Sequence, residues 1–228
     1  MFIGHFGVGF ASKEAAPRTS LGTLFLAAQF LDLLWPTLLL LGVESVRIAP
    51  GDTAVTPLDF TSYPISHSLA AAIGWGVLFA IVYRLLRNYQ PGAIVAGLAV
   101  LSHWVLDFLT HRPDLPIYPS GPKVGLGLWN SVSGTVIVEG AIFAAGVALY
   151  LHRTRAKDRT GSIALWSLIV LLVAIYASNL VGPPPPSVKA IAILGEAQWL
   201  IVAWGYWIDA HRELAGTRRD AMDASPAI

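Results

Sequence analysis

The sequence predicts an all-α polytopic membrane helix bundle, and three observations carry that prediction. The 228 residues are 55% hydrophobic and only 13% charged, where a soluble domain carries about 25% charged residues, and the mean hydropathy is +0.61. About six apolar stretches approach the roughly 20 residues a helix needs to cross hydrocarbon. Lysine and arginine collect in alternate connections between those stretches. A net charge of +1 supplies no basic tract that could follow a phosphate backbone, so no nucleic-acid partner is expected. The absence of cysteine excludes disulfides and thiolate metal sites. The expected partner is the lipid bilayer, and the composition leaves the oligomeric state open.

Taken in order, Met1–Ser12 is apolar and glycine-rich but too short to span. It lacks the basic n-region of a signal peptide, since Lys13 follows the apolar part. It is expected to be a half-helix that enters the bilayer antiparallel to the first span. Lys13–Ser20 reads as a polar turn in which Thr19 or Ser20 caps the next helix. The spans are placed at Leu21–Leu41, Ile65–Leu86, Gly92–His111, Gly134–Leu151, Ser162–Val181 and Val188–Asp209. Gly42–Pro64 and Arg112–Ser133 read as polar, proline-bearing connections. Pro183–Pro186 cannot continue a helix and forms a stiff crossing. One transmembrane domain over residues 1–209 is expected, with site-bearing spans in 1–151, accessory spans in 162–209 and a polar tail over 210–228. The basic connections follow the even spans and flank the first and last. The positive-inside rule therefore predicts both termini in the cytoplasm.

Inside this apolar background lie ionisable residues that an ordinary span does not need. His103 and Asp107 are four residues apart, so on a helix they share a face at about 6 Å, a spacing at which imidazole and carboxylate can hold one metal ion. At about 1.5 Å per residue, His103 lies about 16 Å beyond Gly92 and Asp107 about 22 Å. By the same rise Asp32 lies about 18 Å beyond Ser20, His67 about 25 Å from Arg84, and Glu139 and Glu196 roughly 20 Å from the ends of their spans. His5 reaches roughly 12 Å if the half-helix enters the bilayer. These groups fall in one layer between the midplane and the outer boundary. Ionised carboxylates there cost a few kcal/mol or more, so they need partners, protons or a metal. His111, Arg112 and Asp114 read as a solvated loop entrance, and His152 and His211 as solvated groups among basic residues.

The set Gly4-His5, Leu31-Asp32, Ser66-His67-Ser68 and Ser102-His103-x-x-x-Asp107-x-x-Thr110 resembles, in order and spacing, the bacterial membrane-bound metal-dependent hydrolase family (YdjM-like). The resemblance covers about the first 130 residues, and a looser one is to zinc-dependent phospholipase C. Where the family often shows Asp-x-Asp-His, this chain has Leu31-Asp32-Leu33-Leu34-Trp35, which favours one metal over two. The resemblance implies a multi-pass protein of the bacterial inner membrane holding a divalent metal. His5, His67, His103 and Asp107 would be ligands, with Asp32 as ligand or base. A nitrogen and carboxylate ligand set without thiolate suits a catalytic zinc. Asp32 or Glu139 would accept a proton from water in a hydrolysis. A site in the outer half of the bilayer points to a lipid or lipid-linked ester or phosphoester as substrate. Two other classes accommodate the same residues: a metal-ion or proton-coupled transporter, and a structural membrane protein with a polar packing layer.

Overall fold

The computed structural model describes residues 1–215, so residues 216–228 of the expected tail lie outside the described residues. The long helices are α5 (Leu69–Arg87), α6 (Gln90–Thr110), α7 (Val132–Arg153) and α8 (Arg159–Val181), each long and apolar enough to cross a membrane. Before them come α1 (Ile3–Ala15), α2 (Leu21–Ala28), α3 (Phe30–Leu40) and the short α4 (Pro64–His67); after them come α9 (Val188–Glu196) and α10 (Gln198–Ala210). The last two run on as one span of 23 residues, giving five spans, or six if the bent α2–α3 pair counts as one. Local chemistry sets several starts. Ser20, Ser68, Ser131, Asp158 and Ser187 each accept a hydrogen bond from the backbone N–H three residues on, replacing a bond the first turn of a helix lacks.

The expected half-helix is present as α1, and it lies inside the bundle. Phe6 and Phe10 are fully buried and meet Phe25 edge-on. Their cluster includes Leu165, Leu168 and Leu172 of α8 and Ile201 of α10. α1 packs closest on α7, where a Cβ built on Gly146 would stand 2.0 Å from the Gly7 carbonyl oxygen. Only a pair of glycines permits that approach, the usual device for helix contact in lipid. Ile73, Val77, Ile81 and Leu85 of α5 point outward. Hydrocarbon, not water, is the solvent that tolerates such a stripe.

Two spans differ from their expected form. The first is not one helix over Leu21–Leu41 but α2 and α3, bent by 58° at Gln29. Pro36 cannot donate to the carbonyl of Asp32 four residues back, and Gln198 Nε2 donates to that oxygen instead, at 3.4 Å. The second span is interrupted at its start: Ser68 is extended (φ −73°, ψ 149°) and separates α4 from α5. His67 therefore belongs to a short outer helix and can turn away from the axis of α5.

The connections are also more ordered than their proline content suggests. β1 (Ser45–Ile48) pairs antiparallel with β2 (Leu58–Ser62), β3 (Leu115–Pro116) with β4 (Lys123–Val124), and β5 (Thr154–Ala156) with β6 (Arg212–Leu214). The last pair ties the connection after α7 to the start of the expected tail. Lys13 at the end of α1 reaches Asp209 at the end of α10 at 2.8 Å. The basic connections thus gather at one end of the bundle.

Candidate metal centre

His103 and Asp107 lie on the last turns of α6, about 20 Å from its basic end at 1.5 Å per residue. Both are buried. The bend at Gln29 turns the start of α3 toward them, and the break at Ser68 does the same for the end of α4. The result is a knot of four side chains from three elements. His67 Nε2 stands 3.4 Å from Asp32 Oδ1 and 3.7 Å from Asp107 Oδ2. His103 Nε2 stands 3.6 Å from Asp32 Oδ1 and 3.3 Å from Asp107 Oδ2. Four donor atoms around a tetrahedral metal at 2.0–2.1 Å would be separated by about 3.3 Å, so these distances approximate four edges of such a cage.

The other ring nitrogens decide what these atoms can do. His103 Nδ1 is 2.8 Å from the carbonyl oxygen of Ala28. A carbonyl only accepts, so Nδ1 carries the proton and Nε2 of the neutral ring carries a lone pair. His67 Nδ1 is 2.7 Å from Ser66 Oγ, and the Ser66 hydroxyl donates to Glu44 Oε2 at 2.6 Å. The serine oxygen is then the acceptor, and His67 Nε2 is also a lone pair. Two imidazole lone pairs therefore face two carboxylates, acceptor against acceptor, and His103 Nε2 is buried without a hydrogen-bond partner. A cation in the gap removes the conflict, and the donor set of two nitrogens and two oxygens is one that zinc accepts. Backbone carbonyls and carboxylates behind metal-bound histidines fix the tautomer in this way.

The other expected residues take distinct places. His5 Nε2 lies 3.1 Å from the second oxygen of Asp107, and its ring stacks on His103 with centroids 3.6 Å apart. His5, His103 and Asp107 form a second set of donor atoms within 4.8 Å of one another, beside the set of Asp32, His67 and His103. Glu139 is buried, but its Oε2 accepts from the backbone N–H of Phe2 at 2.8 Å and Gly4 at 3.4 Å. It holds the start of α1, which carries His5. Glu196 accepts from Thr37 at 2.7 Å, outside the knot.

Two supporting residues escape the sequence reading. Glu44, in the first connection, is buried and accepts from the N–H groups of Ile65 and Ser66 as well as the Ser66 hydroxyl. Nothing in its local pattern marks it. His111 is not a solvated loop residue. It is buried, its ring lies 4.3 Å from Trp129, its Nδ1 meets Asp114 Oδ1 at 2.8 Å, and its Nε2 points to Asp107 Oδ2 at 4.0 Å. The signal was present, because His103, Asp107 and His111 follow one another at four-residue steps on a single helical face. Arg112 beside it pairs with Asp52, Asp59 and Asp114, which clamps the β1–β2 ribbon over this end of the bundle.

The model of the YdjM inner membrane protein family matches residues 2–182. The chain belongs to that family. The match takes in every member of the knot with His5, Glu44, His111 and Glu139, leaves out Glu196, and runs on through α8, beyond the first 130 residues and into a span expected to be accessory. The chain is accordingly a membrane protein of the inner membrane type. No curated protein and no solved structure matches it.

Proposed function

We propose that this chain is an integral membrane metal-dependent hydrolase. Its substrate would be a lipid or lipid-linked ester or phosphoester, reached from the outer half of the bilayer. The observation that carries the reading is the convergence of four acceptor atoms, from Asp32, His67, His103 and Asp107, whose natural occupant is a divalent cation such as zinc. A metal held there would supply Lewis acidity and bring the pKa of water down to about 7. The protein's own share is positional. Ala28 and the Ser66–Glu44 pair hold the two imidazoles in the tautomer that presents Nε2. His5, anchored through Glu139 at the start of α1, orients Asp107 and stands ready as a further ligand.

Asp32 is the one member of the knot with an open side, its side chain 23% exposed against 5% or less for the histidines and Asp107. Water and substrate would enter there. With His67, His103 and Asp107 as the three protein ligands, the fourth position would be left for water, and the Asp32 carboxylate would be in reach to take its proton. The basic end of the bundle faces the cytoplasm in this reading, with both termini on that side. The test is hydrolysis of ester and phosphoester lipids by purified protein in detergent. Turnover that needs added zinc and vanishes in Asp107→Ala supports the reading. Absence of turnover from metal-loaded protein on every lipid class overturns it.

One observation favours a second reading. Broken helices at membrane depth, such as α2–α3 with its bend beside the knot, are characteristic of transporters. Zinc flux into proteoliposomes without hydrolysis would assign the same residues to a carrier.

A further inference from the structure

At the opposite end of the bundle a second polar site is built from different chemistry. A cavity of about 270 Å³ is lined by Arg18, Ser20, Thr23, Tyr83, Arg87 and Tyr89. Both arginines are exposed, and neither forms an ion pair among the described residues. The Arg18 guanidinium is already ordered over the Tyr89 ring, 4.7 Å from its centre. The floor is close-packed: a Cβ on Gly92 would lie 2.5–2.7 Å from Tyr83, Thr19 and Tyr89, and the Tyr83 hydroxyl bonds Thr19 Oγ1 at 2.9 Å. The carboxylate in this neighbourhood, Asp209, is occupied by Lys13 and the Leu21 amide, so it does not neutralise the arginines. The Leu21 and Thr23 amides at the start of α2 are likewise taken, by Asp209 and Ser20, so the site is built from its side chains and not from the end of a helix.

We propose that this cavity binds the phosphate of an anionic phospholipid headgroup in the leaflet next to the basic connections. Two guanidinium groups present paired donors that match phosphate oxygens, and the hydroxyls of Ser20, Thr23 and Tyr83, already bonded to one another or to their neighbours, give the cavity a polar wall. The helices on either side, α2 and α5, belong to spans whose apolar faces would hold the acyl chains. Basic pockets between spans on the cytoplasmic side are where anionic headgroups are expected to lodge. The site lies at the opposite end of α6 from the metal centre, about 20 Å away by helix rise, and does not depend on hydrolysis.

The test uses the full chain, delipidated and reconstituted in phosphatidylcholine nanodiscs with and without phosphatidylglycerol. Bound lipid is counted by native mass spectrometry. The wild type is expected to retain phosphatidylglycerol over phosphatidylcholine, and Arg18→Gln with Arg87→Gln to lower that preference roughly thirtyfold, about fivefold per arginine near a charged surface. Both positions are exposed, so folding is not at stake. Arg159→Gln, at the start of α8, removes a basic residue elsewhere and should leave the preference intact. Equal retention by wild type and double variant overturns the proposal, as does an equal loss in Arg159→Gln. Inorganic phosphate that binds without any phosphatidylglycerol preference would overturn the lipid assignment.

Discussion

The two ends of this bundle both bury charged side chains, and they handle them in opposite ways. At the basic end donors meet acceptors. Lys13 spans Asp209 and the Thr19 carbonyl, and Arg212 donates to the hydroxyl and carbonyl oxygens of Thr154. These groups tie α1, α10 and the β5–β6 ribbon together, and nothing more is needed to satisfy them. Within the knot at the far end the Nε2 lone pairs of His67 and His103 face carboxylate oxygens, their ring protons being spent on Ser66 and Ala28, while the other oxygen of Asp107 accepts from the Met1 ammonium at 2.5 Å. Buried polar residues that close their own hydrogen bonds hold a structure together. Buried polar residues kept from doing so are prepared for a ligand.

That contrast can be broken by substitution. The largest expected effect is at the knot: Asp107→Ala removes a carboxylate that faces both His67 and His103 and should abolish stoichiometric metal binding, read as metal content after gel filtration. Next comes Lys13→Met, which removes a buried ammonium from the half-buried Asp209 and should cost about 2 kcal/mol of stability, read by denaturation in detergent, while metal content stays unchanged. If Lys13→Met also empties the metal site, the two ends are not independent. A smaller effect is expected from Ser66→Ala, which leaves His67 as a ligand but frees its tautomer. Metal affinity should fall roughly 10–100-fold, and an unchanged affinity would remove the Ser66–Glu44 pair from the account.

The smallest effect concerns pH at the basic end. The hydrogen bond from His211, followed by the Gly161 amide, holds the Asp158 carboxyl below its ordinary value. A depressed carboxyl contributes stability above the unfolded pKa and loses it as pH falls through the folded one. Asp158→Asn should therefore lower stability slightly at neutral pH, flatten the acid destabilisation below about pH 4, and leave stability below that pH nearly unchanged.

Much of the site was legible because its constraints are periodic or compositional. His103 and Asp107 announce themselves by a four-residue step on an apolar helix, and counting rise from the ends put Asp32, His67 and His5 at compatible depth. The bends were not legible. A span over Leu21–Leu41 reads as one helix until Gln198, far away in sequence, satisfies the carbonyl that Pro36 leaves open. Glu44 was hidden for the same reason: it is a polar residue in a polar loop, and only the fold brings it under Ser66. His111 was misplaced by its position next to Arg112, although its spacing from Asp107 repeats that of Asp107 from His103. The small ribbons in the connections escaped because short strands leave too few residues to show alternation.

The central claim is that four acceptor atoms share a cation, and the most direct measurement is X-ray absorption at the zinc edge on purified, zinc-supplied protein. The account predicts about four nitrogen or oxygen neighbours at about 2.0–2.1 Å, with imidazole scattering that diminishes in His103→Ala. Protein that takes up no zinc, or a zinc spectrum without imidazole that His103→Ala leaves unaltered, would contradict it.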